Sequence, residues 1–159
     1  MKTNVKVLLF AAILIIAASC GVKVSQTYYD QKPQIISTEL DGSYAISCWG
    51  TGRNSDEAMK ELQKQAVYEV IFNGVASASS NIQSLKPLIL TVNAKDKYAD
   101  WSNKFFADGG EYQNYCSKHD RRTGSSKFYK TANQVKCQRV VSVDVAGLKA
   151  LLKESGIIK

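Results

Sequence analysis

The chain has 159 residues, 21 basic against 14 acidic side chains, one histidine, four cysteines and 45% hydrophobic content. That length and hydrophobic share fit one globular domain and exclude collagen-like, low-complexity and disulfide-dense chains, and a single histidine speaks against multi-histidine metal chemistry. The residues before Cys20 carry Lys2 and Lys6 and no acid, so the remainder holds 19 basic and 14 acidic groups, a net charge of +5 rather than +7.

Residues 1–19 begin with a short positive segment and continue into the apolar run Val7 to Ala18. This is the pattern of a secretory signal peptide. The run is too short for a membrane span, which needs about 20 apolar residues. Ala17-Ala18-Ser19-Cys20 resembles the lipobox of bacterial lipoproteins, with Ala where Leu or Val is usual three residues before the cysteine. The resemblance implies that the Cys20 thiol accepts a diacylglyceryl group and that cleavage makes it the new N-terminus. Each buried CH₂ of such an anchor contributes about 0.8 kcal/mol, and two chains suffice for stable attachment. Gly21 follows, without the aspartate that suggests inner-membrane retention. The expected location is the outer membrane, facing the periplasm.

Residues 20–34 read as a lipidated tether, and 35–159 as one domain. Ile35 to Leu40 and Tyr44 to Trp49 flank Asp41-Gly42-Ser43, the signal for a β-hairpin. Asn54 is placed to cap a helix over 55–73, with Glu57 reaching back to the Asn54 N–H. Ala58, Leu62, Ala66 and Val70 form its buried stripe, and Asn73-Gly74 its stop. Residues 76–84 read as loop, and Leu88-Ile89-Leu90 as a short apolar piece of no clear type. Tyr98, Trp101 and Phe105 predict one amphipathic helix over 96–106, ended by Asp108-Gly109-Gly110. From Val135 to Val145 apolar residues alternate, putting Val135, Cys137, Val141, Val143 and Val145 on a core face with Arg139 among them. Asp144 is placed to cap a last helix carrying Leu148, Leu151 and Leu152. Gly156 ends it, and Ile157 folds back on it. This order predicts an α+β fold, a small antiparallel sheet with about three helices mainly on one face.

Motifs for chemistry are sparse. Gly50-Thr51-Gly52 before a helix invites a phosphate-loop reading, but no third glycine or Gly-Lys-Ser/Thr follows, and Asp56 and Glu57 would repel an anion. Cys116, His119 and Asp120 crowd together, yet neighbours in one loop rarely meet the geometry a thiolate and its base require. The sequence thus assigns no catalytic residue, metal or cofactor. Lys118, Arg121, Arg122, Lys127 and Lys130 against Asp120 make a basic segment with Tyr129 beside it. Arg121, Arg122, Lys127, Lys130 and Tyr129 are the candidate contact residues for an anionic lipid headgroup or glycan. Nucleic acid, which such a mixture also suits, is not the expected partner of an exported chain. Cys48, Cys116 and Cys137 leave three alternatives open: a Cys48–Cys137 bridge, a Cys116–Cys137 bridge, or buried free thiols.

Cys48-Trp49-Gly50-Thr51-Gly52-Arg53 through Ala66-Val67-Tyr68-Glu69-Val70-Ile71-Phe72 resembles small Gram-negative outer-membrane lipoproteins of the Lpp-20-like type. It is similar also to the N-terminal domain of a flagellar assembly protein. Lys86-Pro87-Leu88, Phe105 to Tyr112, Val143-Asp144-Val145 and Gly156 to Lys159 resemble uncharacterised lipoproteins of gut anaerobes. The resemblance implies an α+β domain at the outer membrane and supplies no catalytic residues. The expected function is a non-enzymatic scaffold or interaction module anchored through Cys20, in contact with other envelope proteins. The second reading is a ligand-binding lipoprotein whose segment 118–130 holds an anionic glycan or headgroup.

Overall fold

The computed structural model describes residues 32–118 and 126–159. The expected signal peptide, Cys20, most of the expected tether, His119, Asp120, Arg121 and Arg122 lie outside the described residues. No helix among the described residues is long and apolar enough to cross a membrane.

The fold is α+β, an open mixed sheet with helices. Strand β1 (Gln34–Thr38) turns through Asp41 and Gly42 into β2 (Ser43–Gly52), and the two pair antiparallel. Gly42 sits at φ +85°, the left-handed region that glycine enters at least cost. The Asp41 carboxylate accepts from the Ser43 N–H at 2.9 Å. A shift of register between Ile35 and Ser37 leaves Ile36 exposed while Ile35 stays in the core. Helix α1 (Ser55–Tyr68) continues as a π-turn over Glu69–Asn73. Strand β3 (Ala76–Ser77) then pairs parallel with β1, the pairing that makes the sheet mixed rather than antiparallel throughout.

The expected helix over 96–106 is two pieces, α2 (Ala94–Lys97) and α3 (Ala99–Phe105). The break falls at Tyr98, at φ −112° and ψ 27°. Its hydroxyl donates to the Ile157 carbonyl at 3.3 Å, so a long-range contact overrides the local period. A 3₁₀ turn (Glu111–Tyr115) leads into β4 (Cys116–Lys118). Strands β5 (Lys127–Lys130) and β6 (Val135–Asp144) follow, and the chain closes with α4 (Val145–Glu154).

The sheet order is β3-β1-β2-β6-β4, with β5 pairing β6 on the edge that β4 also uses. Strand β6 is central, and Val135, Cys137, Val141 and Val143 are buried on the expected face with Ile46, Leu62, Ala66 and Leu148. The caps follow the sequence closely. Asn54 accepts from the Glu57 N–H at 2.8 Å, and Asp144 accepts from the Gly147 N–H at 2.8 Å. One detail differs. Glu57 reaches the Arg53 N–H at 3.0 Å, and not that of Asn54, because the Arg53 guanidinium pairs with the same carboxylate at 2.8 Å. At the far end of α1 the Val70 and Ile71 carbonyls accept from Leu88 (3.2 Å) and Ile89 (3.0 Å). Carbonyls that a helix end leaves without partners thereby hold the apolar piece that lacked a sequence assignment.

Candidate functional site

The Gly-Thr-Gly step is explained by packing. A Cβ on Gly50 would lie 2.0 Å from the Ala58 carbonyl oxygen, and one on Gly52 would lie 2.5 Å from the Ala58 nitrogen. The backbone of α1 lies directly on the end of β2, in the space a side chain would fill. Asn54 takes the Glu57 N–H, and the Glu57 carboxylate beside it takes the Arg53 N–H. No phosphate cradle is formed there.

The three described cysteines are free and buried. Register explains why. Cys48 lies opposite Arg139 and Cys137 opposite Gly50, so the two thiols are diagonal neighbours. Such Cα atoms stand about 7–8 Å apart, beyond the reach of an undistorted disulfide. Cys116 lies opposite Val143, further along β6 from Cys137. Cys116 is 5% exposed, and burial pushes its thiol up to about 12. Burial also pushes the Cys48 thiol well up, and it raises that of Cys137 against a smaller opposing effect of Arg139. These are core thiols, without the lowered pKa that marks a reactive cysteine. Among the described residues no group of His, Cys, Asp and Glu is placed to hold a metal ion.

The strands bring together something the sequence order hides. Side chains alternate across a sheet, and Cys48, Gly50 and Cys137 face α1, so Ser47, Trp49, Thr51, Lys136 and Gln138 occupy the opposite, outer face. Two rows cross it. Lys127 on β5 lies opposite Gln138 on β6, which lies opposite Trp49 on β2. In the next row Tyr129 lies opposite Lys136, which lies opposite Thr51. The Trp49 and Tyr129 rings meet diagonally across these rows, near-parallel with centroids 5.7 Å apart. Tyr129 is 50% exposed, Lys127 is exposed, and Trp49, Lys136 and Gln138 are half-buried. The one ion pair among the described residues is Arg53–Glu57, so neither Lys127 nor Lys136 is neutralised by a described carboxylate.

Of the candidates chosen from sequence, Lys127 and Tyr129 share this outer face. Lys130, opposite Val135, turns to the other side, where with Arg53, Ser55 and Thr131 it lines a recess of about 280 Å³ at the start of α1. Arg121 and Arg122 lie outside the described residues. Trp49, Lys136 and Gln138 escaped the sequence reading because β2 and β5 meet only through β6. Their alternate positions in two strands were the available signal.

No protein-family model, no curated protein and no solved structure matches this chain.

Proposed function

We propose that the chain is a lipid-anchored lipoprotein of the bacterial outer membrane, facing the periplasm, whose domain is a non-enzymatic interaction module. Cys20 supplies the anchor, and the outer face of β2, β6 and β5 supplies the contact surface. The observation that carries the reading is the open strip of Trp49, Tyr129, Lys127 and Lys136. Aromatic rings with a polar end, beside cations that pair with no described carboxylate, are what a contact surface for anionic material presents. The buried thiols support it from the other side, since Cys116, the nucleophile a thiol enzyme would need, is held protonated in the core. The lipobox and the resemblance to Lpp-20-like lipoproteins support the location.

Co-sedimentation of the full chain with isolated envelope fragments tests the reading. The parent should sediment with them, less so as salt rises, because screening shortens from about 10 Å at 0.1 M to about 3 Å at 1 M. The triple variant Lys127→Ser, Lys136→Ser, Tyr129→Ser should keep the fold, surface changes costing about 0.5 kcal/mol each, and lose sedimentation. Equal sedimentation of parent and variant would remove the face from the account.

A further inference from the structure

We infer that the outer face of β2, β6 and β5 binds an acidic polysaccharide strand, its sugar rings stacked on Trp49 and Tyr129 and its carboxylates paired with Lys127 and Lys136. The inference rests on the reading of this face as the contact surface and names what the surface holds.

The pattern of the two rows carries it. Each row carries one cation and one aromatic ring: Lys127 and Trp49 flank Gln138 from either side, and Lys136 lies directly opposite Tyr129. A pyranose ring offers a flat C–H face that packs on an aromatic ring and a rim of hydroxyls that needs hydrogen-bond partners. Gln138, Thr51 and Ser47 stand among the rings on the same face and offer both donors and acceptors. An acidic sugar adds one carboxylate per residue, the complement of a surface whose lysines pair with no acid among the described residues. The binding element is a half-buried stretch of sheet face, ending where Ala45 and Ser142 on the same face are buried, rather than a closed cavity, which suits a polymer strand more than a small molecule.

A lipid headgroup shares the negative charge but not the rest. Proteins that enter a bilayer interface bring protruding aliphatic side chains with their cations. The most exposed aliphatic side chains among the described residues, Leu40, Leu90 and Val92, belong to the β1–β2 turn and the segment after Ile89, not to β2, β6 or β5.

The test uses the full chain in an uncharged detergent, carrying Trp101→Phe so that Trp49 is the fluorophore. Alginate, a polyuronate, is titrated against neutral dextran and against vesicles of phosphatidylcholine with phosphatidylglycerol. Alginate should change Trp49 emission saturably, dextran should not, and vesicles should bind more weakly than alginate. On an alginate matrix, Lys127→Gln with Lys136→Gln should weaken retention about tenfold, the loss expected from about 1.4 kcal/mol, and Trp49→Ala should do the same. The charge-matched pair Lys60→Gln, Lys64→Gln on α1 should retain the parent's binding. Equal weakening by both lysine pairs would reduce the effect to net charge and overturn the inference, as would stronger binding to vesicles than to alginate. Absent alginate binding in a chain that still sediments with envelope fragments would overturn the acidic glycan alone. Loss of both would remove the contact face as well.

Discussion

Gly50→Ala is the sharpest probe of how the sheet carries its first helix. The added methyl would lie 2.0 Å from the Ala58 oxygen, 2.6 Å from the Leu62 nitrogen and 2.7 Å from the Leu62 Cβ. Ordinary contact begins near 3.4 Å, so α1 would have to retreat by about 1.4 Å. No rotamer relieves this, because the obstructing atoms are helix backbone. Retreat would loosen Ala58, Leu62, Ala66 and Val67, all of which are fully buried. Overpacking costs about 1–3 kcal/mol where side chains can adjust, and the rigid neighbour puts this case at the upper end or slightly above. Against that stands a gain of about 0.4–1 kcal/mol from stiffening the unfolded chain. The net expectation is a loss of about 2–3 kcal/mol from a total of about 5–15. Urea unfolding measures it, as a midpoint lowered by about 1–2 M with an unchanged slope. Gly109→Ala separates crowding from backbone strain, because Gly109 has φ +75° and a Cβ added there would meet nothing within 4 Å; it should cost about 1–2 kcal/mol. An unchanged or raised midpoint for Gly50→Ala would refute the close approach of α1 to β2.

Val143→Asp, at a fully buried position in the central strand, should cost several kcal/mol and unfold the domain by circular dichroism; a parental melting curve would mean the face of β6 is reversed. Asp144→Ala removes the cap on Gly147 and should lower stability by about 1 kcal/mol in urea melts. The native chain should leave Cys48, Cys116 and Cys137 unlabelled by iodoacetamide in mass spectra, and denaturation without reductant should expose all three; a bridge would keep two of them unlabelled. The Cys116 thiol titrates higher in the folded chain than in the unfolded one, so its contribution is full below about pH 9 and is lost as pH rises toward 12. Urea midpoints should therefore fall over that range, less steeply for Cys116→Ala, and an identical slope for the variant would contradict the buried thiol.

Much of the fold was legible because its signals are local. Asp41-Gly42, Asn54, Asp144 and Gly156 each act within a few residues, and the alternation of β6 reports one buried face directly. What was hidden depends on distant partners. Nothing near Tyr98 announces the Ile157 carbonyl that helps break the expected helix in two. The parallel pairing of Ala76 and Ser77 with β1 needs only two residues, too few for any periodic pattern. Arg53 competes for Glu57 through a side-chain pair that the capping pattern does not contain. The candidate site divides the same way. Lys127 and Tyr129 stood out as cation and ring in one segment, whereas Trp49 and Lys136 joined them only once β6 lay between β2 and β5. Lys130, adjacent to Tyr129 in sequence, falls by strand parity on the other face.

Every claim about the envelope begins at Cys20, and the mass of the mature N-terminus tests it most directly. The chain extracted from membranes should yield an N-terminal peptide beginning at Cys20 and carrying acyl groups, and Cys20→Ala should abolish both the modification and the membrane association. A mature chain that begins elsewhere, or a Cys20 peptide of unmodified mass, would contradict the account.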